Sequence, residues 1–409
     1  MFRKAFETLF REIDTGGAGV QYGGTHREPA VPSDGEPAMA RATKPGAEPP
    51  TPGADAAGRP PAPADPPTDP AAGALARLGW LRRRGATSAT AILTATAALF
   101  VVSWLLQPQS LSNSSVLGML PFASVLAIVA VGQTLVIQQG GIDLSVPGFI
   151  SLTVIIVTHY PDGDSSRLLP SVLGAYLVAV LAGAATGVLV SRVGVTAIVA
   201  TLGMNALLYG GVLGVSGGTP RSTTAALHDF ATARPAGVPM TVVLAVLVTA
   251  AVGFVVKRTV AGRRFEAVGS GGRVAHAVGL PVRRHQLLAY VAAAALYCTA
   301  GVLLAGVISA PSAFQGDTYL LPSVAAVVLG GTSLLGGKGS VVASAVAALF
   351  LSQLSQVLLT AGVSSAVRNL VEAGALAVGV GIYSVHWPHL ARAVNLPGRP
   401  RPQPSAGAI

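Results

Sequence analysis

Residues 116–159 read VLGMLPFASVLAIVAVGQTLVIQQGGIDLSVPGFISLTVIIVTH, an apolar run, a polar break at Gly140, Gly141 and Asp143, and a second apolar run that returns. A bilayer core about 30 Å thick needs about 20 apolar residues of helix. The first run, 116–138, has that length; the second, 144–159, falls short of it and carries Pro147 near its start. The pair reads as a full membrane span joined to a broken or re-entrant helix, because irregular backbone is tolerated at membrane depth only where protein or a cavity covers it.

The same pattern recurs along the chain. Further apolar runs lie near 87–106, 168–191, 195–215, 238–256, 287–309, 319–335, 340–361 and 367–385, which gives ten spans in all. The 319–335 run is also short, with Pro322 near its start, and is a second candidate for a broken helix. The expected fold is therefore an all-α polytopic membrane protein with about ten transmembrane helices, short or broken ones in its core. Composition agrees: 51% of the 409 residues are hydrophobic and 11% charged, with a mean hydropathy of +0.60, whereas a soluble domain carries roughly 25% charge. A soluble globule is excluded. The single cysteine, Cys298, excludes a disulfide framework and a cysteine-rich metal or iron–sulfur site.

Three regions follow. Residues 1–84 form a cytoplasmic N-terminal extension, 85–390 the transmembrane domain, and 391–409 a cytoplasmic tail. Within the extension, residues 15–74 are dominated by Pro, Ala, Gly, Asp and Glu and lack the apolar side chains needed to offset the entropy of ordering. Ahead of them Phe2, Phe6, Leu9, Phe10 and Ile13 recur at helical spacing, with Arg3, Lys4, Glu7, Arg11 and Glu12 between them. That pattern suits a helix on a membrane surface or on a partner. No signal peptide is expected, since the first long apolar run begins some 85 residues in.

Charge sets the orientation. Of the net +10, +9 lies after Gly85, in short loops beside apolar runs. With the N-terminus in the cytoplasm, the inner loops receive Arg192, Lys257, Arg258, Arg263, Arg264, Arg273, Arg283, Arg284 and Lys338 besides the flanking Arg82–Arg84 and the C-terminal arginines. The outer loops receive only Arg167, Arg221, Arg234 and Arg368. The positive-inside bias thus places both termini in the cytoplasm of a plasma-membrane protein. No aromatic-rich basic surface accompanies these charges, so nucleic acid is not an expected partner; membrane lipid is.

Polar residues inside apolar spans are expensive, and so they are informative. Asp143 and Glu372 are the acids expected at membrane depth. Asp143 or Ser145 is placed to cap the third helix, since side-chain oxygens satisfy free backbone N–H groups there. Glu372 follows Arg368 by one turn, which predicts an i,i+4 ion pair. Gln133, Thr201 and Asn205 are uncharged hydrogen-bonding groups within spans, and Thr201 and Asn205 share a helical face. With Asp143 and Ser145 they are the candidate lining of a translocation path; the alternative for each is a bond between packed helices. Gly183/Gly187 and Gly210/Gly214 have the four-residue spacing that lets helices approach closely. The segments GGIDLSV (140–146) and GGKGSVV (336–342) are loosely alike and suggest a structural repeat.

No catalytic residues are expected. The chain contains no H-E-x-x-H, G-x-S-x-G or G-x-x-x-x-G-K-[ST] motif, and its seven histidines form no ligand cluster, so neither a metal nor a cofactor of its own is expected. If transport here is driven by ATP, a partner chain hydrolyses it. The long basic loop Lys257–Gln286 can fold a short helix over Gly272–Val278, ended by Gly279 and Pro281, and its size suggests a docking surface.

Four stretches carry a family resemblance: GQTLVIQQGGIDLSVPGFISL (132–152), VTAIVATLGMNALLYGGVLGVSGGTP (195–220), GRRFEAVGSGGRVAHAVGLPVRRHQLLAYVAAAALYCTAGVLL (262–304) and AAVVLGGTSLLGGKGSVVASAVAAL (325–349). In order and content they resemble the ribose-type sugar permeases of ATP-binding cassette (ABC) importers, over roughly residues 110–385. The resemblance implies import of a monosaccharide by two permease subunits, a homodimer, working with ABC ATPase subunits and an extracytoplasmic sugar-binding protein. It also implies that Gly269–Leu280 is the ATPase-coupling helix, with Gly269, Gly272, Arg273, Ala275, His276, Ala277 and Gly279 as its contact residues. Departures from the family pattern fall at Ser270–Arg273, where members often carry an Asn-Pro-Glu-like run, at Glu372, near which they often have a Lys, and in the N-terminal extension. Nucleoside or branched-chain amino acid import is the alternative within the class. An ion-coupled transporter would place more ionisable groups at mid-membrane.

Overall fold

The structure, a computed structural model, describes residues 88–219 and 221–384, all within the compact unit Thr68–Ile409. The expected surface helix at 2–13, the extension 1–84 and the tail 391–409 lie outside the described residues. The described chain is helical, without strands. Its α-helices are α1 Ser88–Leu106, α2 Asn113–Gln138, α3 Val146–His159, α4 Leu168–Val188, α5 Ala197–Ser216, α6 Ala225–Thr232, α7 Met240–Arg258, α8 Val260–Ser270, α9 Gly272–Ala277, α10 Val282–Val307, α11 Leu320–Leu329, α12 Val341–Thr360 and α13 Ser365–Ser384. Each expected span has its helix. Seven are long and apolar enough to cross a membrane, while α3 and α11 are shorter, and α13 takes the tenth place, so the expected count of ten is a loose one.

Helices α2 and α10, each 26 residues long, pack against each other at the centre. Around them the chain repeats one order, a long helix, a short one and two long ones, as α2–α3–α4–α5 and then α10–α11–α12–α13. The packing repeats too: α2 lies on α12 as α10 lies on α4, and α3 lies on α5 as α11 lies on α13. The two halves run in opposite senses, since α2 ends and α10 begins on the face that carries Arg192, Lys257, Arg258, Arg263, Arg264, Arg273, Arg283, Arg284 and Lys338. That side is called the basic face below.

The glycine pair at 140–141 ends α2 in a defined way. Gly140 adopts φ +80°, the Gly141 N–H reaches Val136 O at 3.2 Å, and the Gly140 N–H reaches Ile137 O at 2.9 Å, which is a Schellman ending. Helix α11 ends likewise, with Gly331 at φ +79°, Thr332 N–H on Val327 O at 3.1 Å and Gly331 N–H on Val328 O at 2.8 Å. In one pair the first glycine is left-handed and in the other the second. The suggested likeness of GGIDLSV and GGKGSVV is not this repeat: the former leads into the short α3 and the latter into the full-length α12.

Of the small-residue pairs, Gly183 and Gly187 do hold two helices together. A Cβ on Gly183 would lie 2.6 Å from Ala294 Cβ, and one on Gly187 3.0 Å from Leu287 Cα, so α4 meets α10 backbone to backbone. Gly210 and Gly214 face open space.

Candidate functional site

The start of α3 is held by groups distant in sequence. From Gly141 to Ser145 the backbone belongs to no helix or strand and turns back into the bundle before α3 begins. Asp143, 1% exposed, accepts the Ser145 N–H at 2.9 Å and the Ser145 hydroxyl. The expected cap is therefore corrected: Ser145 spends its hydroxyl on Asp143 and makes no cap bond to α3. Asn205 Oδ1, from α5, caps the helix instead by accepting the Gly148 N–H at 2.8 Å. Thr201, one turn away, accepts the Leu144 N–H at 3.1 Å and lies 3.4 Å from Ile142 O. No side chain fits at 148, where a Cβ would come 2.8 Å from Leu208 Cβ.

Depth follows from register. Asn205 is eight residues from the basic-face end of α5, about 12 Å at 1.5 Å per residue, so α3 starts well inside the bundle. The opposite side mirrors this. Segment 308–319 leaves the end of α10 and turns inward: its Gly316 N–H donates to Ser151 Oγ at 3.0 Å, about 12 Å below the far end of α3. Helix α11 begins there, and its ten residues span about 15 Å, half a bilayer core. Both short helices thus start inside the bundle, as Pro147 and Pro322 suggested. Gly316 sits against Pro147 closely enough that a Cβ would collide with its carbonyl.

The remaining path candidate, Gln133, is fully buried and accepts the Tyr297 hydroxyl at 2.8 Å. Next to it Thr134 donates to Ser344 at 2.8 Å, so α2 is bonded to both α10 and α12. Glu372 does not pair with Arg368. It accepts the Ser355 hydroxyl of α12, while Arg368 bonds Ser365 at 3.3 Å; packing of α13 on α12 offers the carboxylate a nearer donor.

Sequence reasoning missed the group on segment 308–319. The Tyr209 hydroxyl donates to Asp317 Oδ1, and the Tyr209 and Phe314 rings meet edge to face at 5.3 Å and 70°. The signal available was ISAPSAFQGDTYL (308–320), a polar, aromatic-bearing stretch ahead of an apolar run too short to span.

On the basic face, the single coupling helix expected over Gly269–Leu280 is two helices. Gly269 belongs to α8; an extended Gly271 (φ 178°) separates it from α9. Thr259 caps α8 by accepting the Gly262 N–H at 3.1 Å, and Gly262 lets α8 fold back against the carbonyls of Val255 and Val256. Helix α9 ends at Gly279, φ +80°, with Leu280 N–H on Ala275 O at 2.9 Å, the same ending as α2 and α11. Ala275 faces inward, 4% exposed, while Arg273, His276, Ala277 and Gly279 are exposed. Gly272 is half-buried. Val274 and Val278, one turn apart, are 71% and 70% exposed.

This element is seated on both glycine breaks. Gly337 N–H donates to Gln138 O at 2.9 Å, and Gln139 Nε2 donates to Phe265 O of α8 at 2.9 Å. A Cβ on Gly336 would stand 2.9 Å from Gly269 O and 3.1 Å from Gly140 N, and one on Gly269 would collide with Gln138 O. No group of three or more potential metal ligands occurs among the described residues.

The family described as branched-chain amino acid transport system / permease component matches residues 115–380. The chain belongs to this permease family. The permease is 34% identical over 293 residues to the ribose import permease protein of Escherichia coli, covering 70% of this chain and 91% of that protein. It is 30% identical over 285 residues to the ribose import permease protein of Bacillus subtilis, with 69% and 88% covered. To an autoinducer 2 import system permease protein of an Enterobacter species it is 36% identical over 286 residues, with 68% and 80% covered. No solved structure matches it. The matched region contains the glycine breaks, both short helices and the α8–α9 element, and the seven long apolar helices make the permease a multi-pass membrane protein.

Proposed function

We propose that the permease is the membrane subunit of an ABC importer for a monosaccharide, set in the plasma membrane with both termini in the cytoplasm and the basic face inward. The observation that carries this is the pair of opposed short helices starting inside the bundle. Broken helices of this kind form solute sites near the bilayer midplane in other transporters, and here Asp143, Ser145, Thr201 and Asn205 gather at the start of α3 while Gln133 bonds α2 to α10. Similarity to ribose permeases supports a neutral polar cargo over the branched-chain amino acids of the family description.

In this reading the permease carries no cofactor and no catalytic residue; ATP is bound and hydrolysed by partner ATPase subunits that dock on α8–α9. Gly269 and Ala275 seat the element, while Arg273, His276, Ala277 and Gly279, with Val274 and Val278, present the docking surface. An extracytoplasmic sugar-binding protein delivers the solute, and a second copy of the permease completes the path. ATP binding supplies the differential affinity for the two states of the path.

Reconstitution tests this. The permease with its ATPase and binding protein in proteoliposomes is expected to accumulate labelled ribose or another monosaccharide only when ATP is supplied. Accumulation of leucine but of no sugar would replace this reading with amino acid import.

A further inference from the structure

Segment 308–319 brings side chains of one kind of chemistry to one place inside the membrane. Asp317 is exposed although its partner Tyr209 lies seven residues before the end of α5, about 10 Å below it. A carboxylate at such depth is costly against lipid and belongs to a bundle interior or a water-filled space. The Tyr209 hydroxyl fixes Asp317 Oδ1, and the Phe314 ring, held edge-on by Tyr209, remains 45% exposed. Gln315 uses its carbonyl on Ser312, accepting the Ser312 N–H at 3.3 Å and its hydroxyl at 3.1 Å. Its amide N–H₂ has no partner among the described residues. The segment cannot drift from this position, because Gly316 is bonded to Ser151 and wedged on Pro147.

A carboxylate that accepts hydroxyl protons, an amide that donates and an aromatic ring with an open face together suit a neutral polyhydroxylated ring. Its O–H groups meet the polar atoms, and its C–H face packs on the aromatic ring. A solute carboxylate would meet Asp317 as a like charge. We propose that Tyr209, Phe314, Gln315 and Asp317 form the sugar contact inside the path, and that Asp317 favours neutral polyols over solutes bearing a carboxylate. This deepens the sugar-import reading and rests on it.

The test uses the complete complex of permease, ATPase and binding protein in proteoliposomes, with Asp317→Asn and Phe314→Ala variants beside the native chain. Complex assembly is measured by co-purification. Labelled ribose uptake per assembled complex is expected to fall about tenfold in Asp317→Asn, the loss of one charge-assisted hydrogen bond, and severalfold in Phe314→Ala. A photoactivatable ribose derivative is expected to label segment 308–319 of the native chain, as read by mass spectrometry of its peptides. Full uptake in assembled Asp317→Asn complexes, or labelling confined to other segments, would overturn the assignment. If Asp317→Asn fails to assemble, Phe314→Ala decides by the same two readouts. A native complex that moves no monosaccharide at all refutes the sugar-import reading itself, an outcome seen without any variant.

Discussion

A single amide oxygen joins α5 to the start of α3. Asn205 Oδ1 caps a helix 57 residues upstream, so its loss leaves the Gly148 N–H buried without an acceptor, a cost of about 1–3 kcal/mol. Asn205→Leu is therefore expected to lower the melting temperature and folded yield of the purified permease, and Asn205→Asp, which keeps an acceptor, to lower them less. Uptake lost at unchanged stability would instead mean that Asn205 meets the solute directly. Sequence reading found Asn205 and Thr201 on one face and left open whether that face serves the path or the packing. The residues it misjudged are those whose partners are remote. Ser145 and Asp143 looked like caps because they precede a helix, and Glu372 looked like half of an ion pair because Arg368 is one turn away. In each case a neighbour close in sequence was outcompeted by tertiary geometry, which spacing does not encode.

At the scale of elements, the apolar runs were legible because every helix buried in a bundle or facing lipid must be apolar for most of its length. Boundaries agreed within a few residues at most ends, and the prolines marked both broken helices. Depth was not legible: hydropathy reports composition, and segment 308–319 has that of a loop while lying inside the bundle. The proposed coupling element was expected as one helix over 269–280, and Gly271 divides it into two. That division sharpens its test. Ala277 is exposed and Ala275 buried, so Ala277→Glu is expected to reduce ATPase co-purification and ATP-dependent uptake with no loss of folded permease. Ala275→Glu is expected to lower the permease's own thermal stability, because a buried unpaired charge displaces α9. Equal ATPase retention by Ala277→Glu and the native chain would remove α9 from the docking surface.

Over the whole molecule, two half-bundles of opposite sense share the central pair α2 and α10, and each delivers one short helix to the interior. Deletion of residues 1–74 is expected to leave ATP-dependent uptake within about twofold of native, and a loss of all uptake in correctly inserted protein would give the extension an essential role; the expectation rests on composition alone. The meeting of Gln138, Gly269 and Gly337 has a different kind of consequence. Most contacts between helices can be retuned by exchanging one side chain for another, but here main chain rests on main chain, and there is no side chain to exchange. On the proposed docking, refitting this permease to another ATPase is closed at the joint and open on the outer turn of α9, which makes Arg273, Val274, His276, Ala277 and Val278 the positions an engineer would vary.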